Sequence, residues 1–432
     1  MKAATAMSGQ LPSPDRDWTV ADAERWLLSL EVFGMKFGLE RMRRLMTVLG
    51  NPQERFRSIH VVGSNGKSST VRMIAAILER HGIQAGAYLS PHLVSFAERV
   101  QVRGHDIAEA DFAAAAARAA RATATVDRSS PADERVTQFE ALTAAAYDEL
   151  ARQGVQAAVI EAGLGGRYDA TNVIPSEVQV LTNIGLEHTR WLGPTIADIA
   201  AEKVDVVRPH GTLVVGAGLH PDALAVAAQV CEQRGARLIV APADAGVEVL
   251  ARGPFQRRNF ALAAAAAHVF LGALDARRVA AAAAATIVPG RFEVVAQDPV
   301  TVFDGAHNPD GMRALAEALE GFLDGRRLVA CLSVLEDKDA AQMLGALLPL
   351  CDEVVLTAAR NTRALSPATL QSLTRQVAGR GEGFASVVPS PHTALAAARR
   401  AAGPDGVALA TGSLYLIADL LRPEGAARGS TL

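Results

Sequence analysis

The sequence predicts an α/β protein of two domains, a larger one built on a mostly parallel sheet and a smaller one of the same class. Three observations predict it. Short apolar runs alternate with longer helical patterns over most of the 432 residues, as in a parallel sheet covered by helices. At residues 59–70, IHVVGSNGKSST, one such run ends in a glycine-bounded polar loop and enters a helical pattern. A second alternation starts after TIVPGRF (286–292), where Pro289-Gly290 reads as a hinge. The chain is too long for one ordinary core. The expected division is a disordered tail at 1–17, a central domain at 18–288 and a C-terminal domain at 289–432.

In the first series, strands are expected at 59–62, 86–89, 157–162, 178–182, 212–216 and 237–241, with helices at TVRMIAAILERHG, TQFEALTAAAYDELARQG and DALAVAAQVCEQRG. The Ala-rich block Asp111–Ala122 reads as a helix, explained most simply by helix propensity. The second series runs VTVFDGA, a helix from Met312, RLVACLSV, a helix near 340–348, EVVLTA, a helix, ASVVP, a helix and GVALATGS. Several strands finish in polar residues: Ser90, Glu161, Asn183, Asp304 and Ser413. Ligands in open parallel sheets sit beyond the carboxyl ends of strands, so this pattern is that of a catalytic cleft.

Composition narrows the class. Half of the residues are hydrophobic, 21% are charged and the net charge is -3, which excludes a basic nucleic-acid or membrane-surface binder. Cys231, Cys331 and Cys351 are odd in number, lack C-x-x-C spacing and lie in apolar segments, so buried free thiols are expected. No apolar run reaches the length of a membrane span. The start, MKAATAMSGQLPSPDRDW, lacks the apolar core of a signal peptide. A cytoplasmic protein is expected.

The loop G-S-N-G-K-S has the chemistry of a polyphosphate cradle. Glycines let backbone N–H groups close on oxygens, the helix start adds positive dipole, Lys67 adds charge and Ser68 can reach Mg²⁺. The match is shorter than the common nucleotide-loop pattern and could be a plain strand–turn–helix corner; its placement between IHVV and a helix favours the nucleotide. Glu161 ends an apolar strand, where an unpaired carboxylate is costly, and beside such a loop it reads as a metal ligand. Ser90, at another strand end in LSPHL, offers an oxygen, which Mg²⁺ prefers. For His188, chemistry alone favours a satisfied core or loop histidine. Lys203 could be a solvated face of its helix, and Arg291 and Asp304 could be ordinary turn charges. DGAHNPDG, with Asp304, His307 and Asn308 directly after a strand, is harder to dismiss.

Eight segments, GMKFGLERM, IHVVGSNGKSST, LSPHLVSFAERV, EAGLGGRYDATNV, GLEHTRWLGPTIADIAAEKV, PGRFEVV, DGAHNPDG and ATGSLYLIADLL, together resemble the folylpolyglutamate synthase/dihydrofolate synthase family of the Mur ligase superfamily, in the family's order. The resemblance implies a Mur-ligase-type P-loop ATP-binding domain and a smaller Rossmann-like C-terminal domain, with the site between them. It implies that Ser64, Asn65, Gly66, Lys67 and Ser68 hold phosphates, and that Asn259, Arg291 and Asp304 contact the rest of ATP. Mg²⁺ would be held by Ser68, Ser90, Glu161 and His188, against the bland reading of that histidine. Lys203 would carry a carbamate that ligates a second metal, and with Lys67 and His188 would carry the chemistry. Thr137, Gln138, Phe139, Glu140, Tyr168, Asp169 and Ala170 would cradle the pterin end of the acceptor, and His307 and Ser413 would neighbour the incoming glutamate. Val204-Asp205 departs from the family's usual Ala-Gly after this lysine.

The implied reaction is ATP-dependent amide synthesis through an acyl phosphate, with L-glutamate joined to dihydropteroate or to folate polyglutamates by a monomer acting on small molecules. Two alternatives remain: a sister ligase with another acid and amino acid, against which the early phosphate loop argues, and a nucleotide-gated binding protein, which gives DGAHNPDG no purpose.

Overall fold

A computed structural model describes residues 16–30, 38–131, 134–381 and 383–424. The expected tail lies outside these except for its last two residues, as does part of GMKFGLERM. Among the described residues the first sheet has eight strands: β1 (Arg57–Val62), β2 (Ala85–Tyr88), β3 (Val100–Val102), β4 (His105–Asp106), β5 (Ala157–Glu161), β6 (Val178–Leu181), β7 (Thr212–Val215) and β8 (Arg237–Val240). Their order is β4-β3-β2-β5-β1-β6-β7-β8. β1 lies between β5 and β6, parallel to both, and the register sets Val61 beside Glu161. Burial on both faces is why these strands read as near-continuous apolar runs.

The two faces carry different layers. The helices Lys67–Arg80 and Pro254–Leu271 cover the face that presents Ile59, Val61 and Val159. The helices Glu109–Arg128 and Gln138–Arg152 cover the face that presents Tyr88, Ala158 and Ile160. The Ala-rich block does more than favour helix. Ala113, Ala116, Ala119 and Ala120 are buried, and a methyl side chain lets two helices and the sheet approach closely.

The second sheet has six strands among the described residues: β9 (Glu293–Gln297), β10 (Val300–Phe303), β11 (Leu328–Leu332), β12 (Glu353–Leu356), β13 (Ala385–Val387) and β14 (Val407–Thr411). Their order is β13-β12-β11-β14-β10-β9. Pro289-Gly290 lies between the sheets, with Gly290 at φ +65°. The expected strands are all present, and three antiparallel strands are added: the β3–β4 pair at one edge of the first sheet and β9 against β10. These are short or only half-buried, so they carry little apolar signal. The helix expected from Met312 starts at Pro309, because Asn308 caps it by accepting from Gly311 N at 2.7 Å and Pro309 fills its first position. The three cysteines are buried and free. No helix among the described residues is long and apolar enough to cross a membrane.

Candidate active site

The site is built where β1, β2, β5 and β6 end. After Val62 the chain turns through Gly63 (φ +146°) and Gly66 (φ +81°) into the helix at Lys67. A Cβ at Gly63 would strike Thr182 Oγ1, and one at Gly66 would lie 2.6 Å from Asn259 Oδ1. Both glycines are therefore required by close approach as well as by φ. The loop is pinned from the β6 end. Ser64 N donates to Asn183 O (3.0 Å), Asn65 N to Asn183 Oδ1 (2.8 Å), Gly185 N to Ser64 Oγ (3.0 Å) and Thr182 Oγ1 to Asn65 O (2.6 Å). Lys67 Nζ folds back onto the carbonyls of Gly63 (3.0 Å) and Ser64 (3.2 Å).

Glu161 is fully buried at the end of β5. It accepts from Ser68 Oγ at 2.9 Å and from Ser90 N at 3.1 Å. Burial raises its carboxyl above the ordinary range, against the pull of Lys67 and these donors. A buried carboxylate between two serines, with no cationic side chain bonded to it, is an oxygen donor set suited to Mg²⁺.

A second cluster lies across the loop. Lys203 is buried, not solvated: its Nζ donates to Gly63 O at 2.9 Å and to Glu187 Oε1 at 3.2 Å. Burial lowers its pKa, and Glu187 opposes that shift. Burial also works to raise the Glu187 carboxyl, but Lys203, Lys67, His188 and His307 outweigh it and hold it at about 2. His188, exposed at φ +49° ahead of a short helix, has its pKa lowered by partial desolvation and by Lys338, which favours the neutral imidazole that can ligate. Asp205, the unexpected carboxylate after Lys203, turns away to Arg234 (2.6 Å) and Arg167 (3.5 Å).

The second domain supplies the far wall. Asp304 is buried and accepts from Phe292 N (2.8 Å) and Ala306 N (2.7 Å), with its carboxyl raised by burial against Arg291. His307 Nδ1 donates to Gly305 O at 2.8 Å, leaving Nε2 as the acceptor, and burial with Lys338 and Arg291 holds it at about 4. A cavity of about 370 Å³ runs from Ser68 and Arg72 to Pro289, Arg291 and Leu414, spanning both domains. Ser413 is buried and caps the last helix through Tyr415 N at 3.1 Å.

The residues expected around the acceptor divide. Gln138 and Glu140 are committed to the framework: Gln138 Nε2 donates to Leu27 O (2.8 Å), and Glu140 accepts from Arg41 (3.1 Å) and from Thr137 N (2.9 Å) in a capping box. Asp169 is buried and folds the glycine-rich loop, accepting from Leu164 N at 2.8 Å and Thr171 N at 3.0 Å. That loop packs so tightly that a Cβ at Gly163 would lie 2.6 Å from the Phe139 ring. Phe139 and Tyr168 keep accessible surface, Tyr168 being 40% exposed, whereas Ala170 is buried. Sequence reasoning missed Glu187, Lys338 and the anchoring role of Asn183. Glu187 directly precedes His188 and Asn183 ends a strand, which were usable signals; Lys338 is brought in only by the packing of the second domain.

The family model described as Mur ligase middle domain matches residues 61–221, and that described as Mur ligase, glutamate ligase domain matches residues 290–414. The chain is 35% identical over 410 residues to a dihydrofolate synthase/folylpolyglutamate synthase of Mycobacterium tuberculosis, covering 83% of this chain and 82% of that one. It is 35% identical over 428 residues to a probable bifunctional folylpolyglutamate synthase/dihydropteroate synthase of Haloferax volcanii, covering 92% of this chain but only 50% of that longer relative. Among solved structures it is similar to a Mycobacterium tuberculosis folylpolyglutamate synthase complexed with ADP (TM-score 0.86, 32% identity, 93% of this chain and 97% of that chain). It is also similar to a bifunctional folylpolyglutamate synthase/dihydrofolate synthase with Mn, AMPPNP and L-glutamate bound (TM-score 0.82, 28% identity, 95% and 99%).

Proposed function

Because the chain belongs to the folylpolyglutamate synthase/dihydrofolate synthase family of Mur ligases, we propose that it is an ATP-dependent ligase that joins L-glutamate to the carboxylate of a pteroate or folate acceptor. The observation that carries this reading is the convergence of the phosphate loop, buried Glu161 and the Lys203–Glu187 pair with Arg291, Asp304 and His307 of the second domain. A carboxylate is a poor electrophile, and transfer of the γ-phosphoryl group converts it to an acyl phosphate that an amine can attack. Lys67 leaves its two carbonyl partners to meet phosphate oxygens, and loop N–H groups cradle the rest. Asn259 and Asp304 would hold the nucleoside, and Arg291 would offset phosphate charge. The uncharged Nε2 of His307 would accept from glutamate's amino group, which attacks in its neutral form. The second domain excludes the water that would hydrolyse the acyl phosphate.

Ser68, Ser90 and Glu161 would hold Mg²⁺, joined by neutral His188, and the ion would supply charge to the transferring phosphoryl oxygens. Lys203 is suited to carbamylation, which needs a neutral amine: it is buried, its pKa is lowered, and Asp205 is engaged elsewhere. A carbamate beside Glu187 would set two anions together and so create a further cation site. The test is phosphate release with ATP, Mg²⁺ and L-glutamate, comparing dihydropteroate, tetrahydrofolate and no acceptor. Acceptor-dependent release with a glutamylated product is expected; release independent of acceptor would overturn the reading.

A further inference from the structure

Between the phosphate loop and the second domain, two asparagine side chains face each other. Asn65 Nδ2 donates to Asn308 Oδ1 at 3.3 Å, and Asn308 Nδ2 donates to Asn65 Oδ1 at 3.0 Å. The orientation of the Asn308 amide is fixed independently, because its Oδ1 also accepts from Gly311 N as the cap of the helix Pro309–Leu323. Its Nδ2 must then point at Asn65. The backbone of Asn65 is in turn held on both sides by Asn183 and Thr182. A displacement of the loop backbone is therefore passed through a rigidly held amide to the start of a 15-residue helix in the other domain. Next to it, Asp310 Oδ2 lies where a Cβ on Gly185 would be, and Gly185 N bonds Ser64 Oγ. The two domains thus interlock at the phosphate loop.

We propose that Asn308 is a positioning residue which, through Asn65, makes closure of the second domain depend on the state of the phosphate loop. The paired amides hold the loop backbone in the conformation that binds phosphates, with only the Lys67 ammonium left to swing onto them, so the wall that carries Arg291 and His307 is drawn in with that conformation and loss of the pair lowers the binding-competent fraction. This rests on the ligase reading only for its consequence, namely protection of the acyl phosphate from water.

The test is a double-variant cycle of Asn308→Ser, Asn65→Ser and both together. Serine still caps the helix by accepting from Gly311 N, so Asn308→Ser is expected to keep its melting temperature while both amide bonds are lost. Each neutral hydrogen bond is worth roughly a five- to tenfold change in an equilibrium constant. With two such bonds lost, the Kd for Mg-AMPPNP, measured without acceptor, is therefore expected to weaken by at least about tenfold in Asn308→Ser, with the double variant no weaker than Asn65→Ser alone. In turnover, phosphate released per glutamylated product is expected to rise above one in Asn308→Ser, a readout that lost capping would not move. Additive losses in the cycle, or nucleotide affinity and a phosphate-to-product ratio unchanged in Asn308→Ser, would overturn the proposal. If the unsubstituted protein forms no glutamylated product, the ligase reading fails while the affinity cycle still decides the amide pair.

Discussion

In the helical layer of the first domain, Arg118 meets Asp148 at 2.5 Å and Glu149 at 2.6 Å, and Arg41 meets Glu140 at 3.1 Å. In the cleft, two lysines of different elements, Lys67 and Lys203, both donate to the single carbonyl of Gly63, while Glu161 has only a hydroxyl and an N–H. Both regions bury charge: the carboxylates of these layer pairs each meet a guanidinium, whereas in the cleft Lys203 alone of the three meets its opposite, Glu187. Lys67 and Glu161, bonded to no opposite charge, suit a polyanion and a cation respectively. Such imbalance marks a functional site more sharply than burial does.

The largest effect that sharpens this contrast comes from Lys67→Ala. Its Nζ contacts only carbonyls, and it disfavours the charge on Lys203. Removing it is expected to lower ligation by about a thousandfold or more, the scale of losing a preorganised charge at a phosphoryl transfer, with melting unchanged or slightly raised. Activity within a few-fold of the unsubstituted protein would break the comparison. Lys203→Ala comes next, with a loss of about a hundredfold or more expected from the removal of a charge at the reacting group. Short carboxylic acids are expected to restore part of the turnover if Lys203 acts as a carbamate. Restoration by small alkylamines instead would show that its ammonium does the work.

In the layer, the expectation reverses. Arg118→Met strands two buried carboxylates, since the other guanidinium on Asp148, from Arg152, is more than half exposed. Losing one partner of a buried pair costs about 3 kcal/mol or more. Urea denaturation is expected to show this loss, with kcat in the folded protein preserved; a fall in kcat without a stability loss would erase the distinction between the regions.

The same contrast explains what could be read from the sequence. Strands β1, β2, β5–β7, β10–β12 and β14 announce themselves as apolar runs because they are buried on both faces, the edge strands β8 and β13 by their aliphatic residues alone, and the phosphate loop by its glycines and Lys67. β3, β4 and β9 gave no such pattern. Lys203 shows the limit best: on its helix it resembles any lysine near a C-terminus, and its burial against Gly63 comes from a chain segment 140 residues away. Asp205 lies two residues from it in sequence, and tertiary structure sends that carboxylate to Arg234. Lys338 could not be read at all, because its meaning depends on how the second domain packs over the first.

The smallest expected effect concerns histidine, which is exposed or half-buried in the cleft and fully buried in the layer. His188 and His307 sit in the cleft, whereas His60 lies on β1 with its Nε2 against Thr171 Oγ1 at 2.8 Å and its Nδ1 buried without a partner. Burial, reinforced by Arg208, lowers His60 to about 3. In the unfolded chain it titrates near 6.5. Because the folded value is the lower one, the stability that neutral His60 contributes is present above about pH 6.5 and is lost as pH falls from there towards 3. At pH 5 the unfolded histidine has gained its proton and the folded one has not, a difference of about 2 kcal/mol relative to pH 8. His60→Gln removes this proton uptake while leaving an amide to meet Thr171. Urea unfolding at pH 8 and pH 5 is therefore expected to show the unsubstituted protein losing about 2 kcal/mol more than the variant. Parallel losses would mean that His60 is protonated in the fold, and that the layer, like the cleft, holds a charge without its match.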